Sequence, residues 1–315
     1  MSNIISVNNL IKRYKKAEHN AVDGVSFDVK EGEFFAFLGP NGAGKTTTIS
    51  ILTTTLSKTS GDVRIAGFDI DKESSKVRRN VGIIFQNPSL DLNLTAEENI
   101  RFHAILYGLY PFAPFYSLMP VSYKKRLNEL AEVLDLKDMY KPVKSFSGGM
   151  KRKLEIIRSL MHKPKVLFLD EPTVGLDPEA RKNLWVYLKR IIGEEKTTVF
   201  LTTHYLEEAE VADKICIINH GKIIKEGSPE QIKRELIKDY LEVQTKNGKE
   251  LKDELTKKKI KFDEGEEFRI YIKPSEIQEF LKNLKTKLTN IRTHSPSLEE
   301  AYLEIIGEKK QDLSN

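Results

Sequence analysis

The sequence predicts an α/β protein built around a phosphate-binding loop, followed by a small α+β unit. Three observations lead there. Short apolar runs alternate with helical stretches, the pattern of buried parallel strands. Residues Gly39 to Thr46 read Gly-Pro-Asn-Gly-Ala-Gly-Lys-Thr. After Gly227-Ser228-Pro229 the composition turns rich in Lys and Glu.

The octapeptide fits G-x-x-x-x-G-K-[ST]. Its glycines let the backbone curl so that successive N–H groups point at phosphate oxygens. Lys45 adds a mobile positive charge, and Thr46 offers a hydroxyl to Mg²⁺. The apolar run Phe34–Leu38 before it reads as a buried strand. A helix opening at Thr46 and running to Leu52 puts an anion-favouring N-terminus beside the loop. With Gly near 7% of residues, a chance match is expected in roughly 0.01 chains of this length.

Along the chain, Ile4–Val7 and Val25–Val29 read as strands flanking the loop Lys12–His19. Gly61–Ala66 and Val81–Phe85 are further strands. From Leu94 the pattern turns helical, with Thr95-Ala96-Glu97-Glu98 as cap and first turn. Leu127–Leu136 and Ser147–His162 read as helices. Val166–Leu169 is a buried strand, Arg181–Ile192 an amphipathic helix, Thr198–Thr202 a strand and Glu207–Asp213 a helix. Ile215–Ile218 and Lys222–Glu226 form a hairpin across Asn219-His220-Gly221. In the second unit Leu241 and Val243 alternate with polar residues, as do Phe268, Ile270 and Ile272. Leu251–Lys259 and Glu276–Leu288 read as helical between and after them.

Composition bounds the rest. A chain of 315 residues has room for one large domain plus a smaller one, or for two. A net charge of +5 is too weak to argue for nucleic acid. Basic and acidic side chains balance in residues 228–315, so the excess lies beside the phosphate loop. The single cysteine, Cys216, sits in an apolar run and reads as a core thiol in a reducing compartment. Met1-Ser2-Asn3 has no signal-peptide pattern. Phe102–Tyr123 is the longest stretch free of Asp, Glu, Lys and Arg, but prolines at 111, 114 and 120 exclude a spanning helix. It reads as an interface or a packed irregular segment.

Val166–Leu169 ends in Asp170-Glu171. A carboxylate at a strand end suits an Mg²⁺ site, and Glu171, one residue on, can face the γ-phosphate and activate water. An acidic turn after a strand is the plain alternative, and the P-loop decides against it.

With these residues placed, the chain resembles the ATP-binding cassette (ABC) family, in its transporter ATPase subunits, over residues 4 to 226. Tyr14 lies 25 residues before Gly39, where that family stacks an aromatic on adenine. Gln86 matches its Q-loop glutamine, Ser147-Gly148-Gly149 its signature motif, Gly175-Leu176-Asp177 its D-loop and His204 its switch histidine. The signature departs from the family pattern in its flanks, Phe146 and Met150, while Met150-Lys151-Arg152 still places positive charge near the site.

The resemblance implies a RecA-like core with an antiparallel β subdomain and a helical subdomain at about 92–162. The cassette would span 1–227, with a small α+β appendage at 228–315. It implies ATP and Mg²⁺ as cofactors. Nucleotide would be held by Tyr14, Gly39, Pro40, Asn41, Gly42, Ala43, Gly44, Lys45, Thr46 and Thr47. Ser147, Gly148, Gly149 and Asp177 would add contacts from a second chain. Metal would sit at Thr46, Gln86 and Asp170, with Glu171, His204 and Gln86 catalytic. Two chains would meet head to tail, with each ATP between one P-loop and the other chain's signature. The stretch His204–Glu210 and the tail Ser295–Glu304 resemble daunorubicin-resistance-type exporters. Such subunits work at the cytoplasmic face of the membrane on a separately encoded permease, exporting hydrophobic or lipid-like molecules. A soluble ABC ATPase of another process is the alternative; a non-ABC P-loop enzyme is disfavoured by Ser147-Gly148-Gly149 and His204.

Overall fold

The computed structural model describes residues 2–85, 89–236, 240–265, 267–272, 274–294 and 297–312. They divide into two compact units between Glu226 and Gly227. The first begins with β1 (Asn3–Lys12), β2 (Val22–Lys30), β3 (Phe34–Leu38), α1 (Lys45–Leu52), β4 (Ser60–Ile65), β5 (Phe68–Asp69), α2 (Ser74–Asn80) and β6 (Val81–Ile84). Three helices follow, α3 (Ala96–Leu106), α4 (Val121–Val133) and α5 (Gly148–Leu160). It closes with β7 (Val166–Asp170), α6 (Pro178–Glu195), β8 (Thr198–Thr203), α7 (Leu206–Ala209), β9 (Lys214–Asn219) and β10 (Lys222–Gly227).

Two sheets result. One is antiparallel, in the order β2-β1-β4-β5; the other has six strands, β10-β9-β3-β8-β7-β6, with β9, β3, β8, β7 and β6 parallel. Every residue of β3, β7 and β8 is buried, which is why Phe34–Leu38, Val166–Leu169 and the centre of β8, Val199–Leu201, are unbroken apolar runs rather than alternating ones. Phe27 of the antiparallel sheet stacks on Phe35 (centroids 5.3 Å), and Phe35 on Phe200 (5.1 Å). These rings join the two sheets through one core that also takes Ile49 and Leu52 of α1. Cys216 lies in that core, where burial pushes its thiol well above the ordinary range.

Several elements differ from the sequence reading. The loop expected from Lys12 starts one residue later, because β1 pairs on through Lys12 with Val22. Residues 102–106 and 121–123 of the uncharged stretch are helical; only 107–120 is irregular, apart from one short 3-10 turn. The helix expected over Leu127–Leu136 begins at Val121, directly after Pro120, and stops at Val133. The helix expected over Glu207–Asp213 is the single turn α7.

The second unit holds α8 (Pro229–Leu236), β11 (Tyr240–Thr245), α9 (Gly248–Lys257), β12 (Phe262–Glu264), β13 (Phe268–Tyr271), α10 (Ile277–Asn283), β14 (Leu288–His294) and α11 (Leu298–Asp312). Its sheet runs β12-β13-β11-β14, with antiparallel pairings. Leu241, Val243, Phe268 and Ile270 face Leu251, Leu255 and Phe280 of the helices. The helix expected over Glu276–Leu288 ends at Asn283: Leu284 is extended, and Leu288 opens β14 against β11. On α11, Leu298, Ala301 and Ile305 are buried and Tyr302 is half-buried.

Candidate active site

The loop Gly39–Gly44 joins β3 to α1. Its glycines are sterically required. A Cβ on Gly39 would stand 2.3 Å from the Ile218 carbonyl, and one on Gly44, at φ 107°, 2.5 Å from that of Ala21. Ala43 is buried beneath the loop, and Asn41 and Gly42 are exposed at its crown. Lys45 is buried, and its ammonium donates to the carbonyls of Gly39 (2.8 Å) and Pro40 (3.1 Å). Burial lowers its pKa; the charges of Glu171 and Asp170 act the other way, so the lysine and both carboxylates share one field.

Asp170 ends β7, and Thr202 of the neighbouring β8 donates its hydroxyl to Oδ1. Asp170 Oδ2 is buried and has no hydrogen-bond partner among the described residues. Burial and the charge of Glu171 raise this carboxyl; the hydroxyls of Thr202 and Thr46, and Lys45, oppose the rise. A buried carboxylate oxygen left over, beside a threonine hydroxyl, is a donor set for a hard cation.

Glu171 leaves the strand at φ 48°, a left-handed conformation that costs a side-chain-bearing residue about 1–2 kcal/mol. The turn sets its carboxylate on His204, at 2.8 Å from Oε1 to Nδ1. His204 follows β8 directly, so the adjacent parallel strands β7 and β8 bring the two side chains together. Glu208, read only as part of a family-like stretch, is buried and accepts from Thr173 and from Thr203 (2.6 Å), tying the ends of the two strands. Nothing in the local sequence marks it, since its partners come from two strand ends.

Tyr14 is 45% exposed, with its hydroxyl 3.3 Å from Thr47 Oγ1 near the start of α1 and the Lys12 ammonium over its ring at 5.4 Å. Ser147 caps α5, accepting from the Met150 N–H at 3.2 Å. Gly148 is open, while a Cβ on Gly149 would press on the Gly175 carbonyl at 3.2 Å. Asp177 caps α6 by accepting from Ala180 N–H at 2.8 Å. No hydrogen bond among the described residues links the Ser147–Gly149 turn to the Gly39–Thr47 loop. Gln86 lies outside the described residues. Arg152, read as positive charge near the site, carries that charge inside the fold. It is buried and turned inward onto main-chain carbonyls.

The ABC transporter family profile matches residues 22–174. The Nod factor export ATP-binding protein I of Ralstonia nicotianae is 41% identical over 242 residues, 76% of this chain and 72% of its own. That of Burkholderia pseudomallei is 36% identical over 306 residues, 96% of both. The linearmycin resistance ATP-binding protein LnrL of Bacillus subtilis is 40% identical, over 71% of this chain and 69% of its own. Among solved structures, the dimeric post-hydrolysis state of the cassette MJ0796 bound to ADP and Pi gives a TM-score of 0.63 at 30% identity, covering 71% of this chain and 98% of that one. The loop, the strand-end carboxylates and these likenesses agree: this chain belongs to the ABC transporter family, as an ATP-binding subunit whose ATPase activity powers transport.

Proposed function

We propose that this chain drives export of a hydrophobic or lipid-like molecule by hydrolysing ATP between two copies of itself. The cassette is 1–227 and the appendage 228–315. Gly39 to Thr47 cradle the triphosphate and Tyr14 stacks on adenine. Thr46, Gln86 and Asp170 hold Mg²⁺, which when bound screens the phosphate charge. Glu171 takes the proton of the attacking water, and His204 fixes its carboxylate and reaches the γ-phosphate. Ser147, Gly148, Gly149 and Asp177 serve the nucleotide held by the partner copy. The observation carrying the chemistry is the strand-end pair: Asp170 with an unpartnered buried oxygen, and Glu171 turned onto His204.

A separate membrane subunit is the second part of the proposal. No helix among the described residues is long and apolar enough to cross a membrane. Residues 106–121 instead expose Leu106, Phe112, Phe115, Leu118 and Val121. Exposed apolar side chains of this size gathered in one segment suit the core of a protein interface. Relatives named for export of Nod factor and for resistance to linearmycin and daunorubicin support the export reading; in that reading the chain works at the cytoplasmic face of the membrane.

Glu171→Gln tests the chemistry. The variant should bind ATP as the wild type does, lose roughly 10²–10⁴-fold in turnover, and elute as a dimer with ATP and Mg²⁺ on gel filtration. Turnover within a few-fold of wild type would remove Glu171 from the base role.

A further inference from the structure

We infer that Arg152 is a positioning residue for hydrolysis, holding the Asp170–Glu171 turn and welding it to the signature helix α5; the inference rests on Glu171 being the base. Arginine carries five N–H groups, and each meets an acceptor here. Nε donates to Pro172 O (3.0 Å), and Nη2 to Asp170 O (3.1 Å) and Glu171 O (2.9 Å). Nη1 donates to Phe85 O and to Glu155 Oε2 (3.2 Å). Three of the four carbonyls are consecutive.

Along a strand, successive carbonyls point to opposite sides. Three in a row converge on one planar fork only because Glu171 leaves β7 at φ 48°. The guanidinium therefore matches the turned chain and not a continuing strand. The same turn sets the Glu171 carboxylate on His204. Glu155 balances the buried charge and also accepts from Ser89 N–H at 2.9 Å, on the far side of residues 86–88. Arg152 lies on the helix that Ser147 caps, so the cradle offered to the partner's nucleotide and the carboxylates of the chain's own site share one rigid piece. It makes no hydrogen bond to Gly39–Thr47.

The test is a double-mutant cycle in the full chain. Single-turnover hydrolysis, equilibrium ATP binding and thermal unfolding are measured for Arg152→Gln, Arg152→Lys, Glu171→Gln and Arg152→Gln/Glu171→Gln. Misplacing a catalytic group by about 1 Å costs roughly 10²-fold. Arg152→Gln should thus turn over roughly 10–100-fold more slowly, with ATP affinity within about threefold of wild type. Arg152→Lys, with three donors instead of five, should fall between. The double variant should be slower than Glu171→Gln alone by far less than the Arg152→Gln factor, because Arg152 acts chiefly through that carboxylate. A purely structural arginine would slow the double variant by the product of the two single effects. That result, or Arg152→Gln within twofold of wild type while Glu171→Gln is dead, overturns the inference and leaves the base assignment standing. Wild-type turnover by Glu171→Gln would instead sink the base assignment. If Arg152→Gln does not fold, Arg152→Lys takes its place in the cycle with the same criterion.

Discussion

His103 is a histidine that the fold keeps neutral. It stacks on Tyr107 at 4.3 Å, which in turn packs on His162 at 5.1 Å. Its Nδ1 is buried without a partner among the described residues. Burial, with Arg158 and His162 nearby, pushes its pKa down to about 3; Arg78 also acts on this cluster, through Tyr107. Between about 3 and the ordinary 6.5 the unfolded chain binds a proton that the folded chain does not, so stability rises with pH across that window. The contribution is complete above 6.5 and is lost as the pH falls. By pH 5 about 2 kcal/mol of it has been lost. His103→Phe keeps a ring on Tyr107 and removes the titration. The urea midpoint of the wild type should therefore drop more than that of His103→Phe between pH 7 and pH 5; equal drops would exclude the assignment. Residues of this kind were illegible in the sequence. Lys45, Asp170 and Glu171 announce themselves because phosphate chemistry requires those types at fixed distances from a strand end, whereas His204 was legible only through the family resemblance. His103 and Arg152 take their meaning from groups that only the fold brings near, and the sequence showed Arg152 only as positive charge near the signature.

At the scale of elements, the segment 107–120 is irregular without being loose. Arg101 of α3 pairs with both oxygens of Glu97 (3.0 and 3.1 Å) and donates to the carbonyls of Ala113 (2.8 Å) and Pro114 (2.7 Å). Tyr123 donates to Glu97 (3.2 Å), while Tyr110 and Tyr116 pack on its ring at 5.5 and 6.3 Å. Some aromatics of this stretch thus fix it from within. Phe112 and Phe115 remain 73% and 67% exposed. The packed reading of the segment holds for the tyrosines, and the exposed phenylalanines are the side chains on which the proposed interface rests. Phe112→Ser with Phe115→Ser should change stability by only about 0.5 kcal/mol per site, because nothing buried is lost. It should leave basal ATPase unchanged while weakening co-purification with the membrane subunit. Full co-purification would move that interface elsewhere. Arg101→Gln, in contrast, strands a buried carboxylate and should cost about 3–5 kcal/mol, seen as a lowered melting temperature. Element boundaries were legible where burial on both faces writes a continuous apolar run, as in β3, β7 and β8. They failed where pairing decides: β14 has Leu288, Asn290 and Ile291 in a weak alternation, and its strand state comes from β11.

Among the described residues the proposal gives two helix N-termini to phosphate, α1 behind the Gly39–Gly44 loop and α5 behind Ser147. Within one copy no hydrogen bond among the described residues joins the second to the first, and Gly148 stays open. The dimer of the proposal resolves this, since a second copy turned head to tail supplies the missing cradle. Ser147→Arg should then leave ATP binding by the single chain nearly intact and abolish both dimer formation and hydrolysis. Lys45→Ala should lose binding or hydrolysis through its own loop. Mixing the two inactive proteins gives a dimer with one doubly damaged site. The other site joins the intact loop of the Ser147→Arg chain to the intact signature of the Lys45→Ala chain. If one site can fire alone, the mixture should regain up to about half of the wild-type rate per mixed dimer, measured as phosphate release against each protein by itself. A Ser147→Arg chain that hydrolyses ATP at the full rate without any partner would show that the signature turn does not act across the dimer. The two cradles would then need a different explanation.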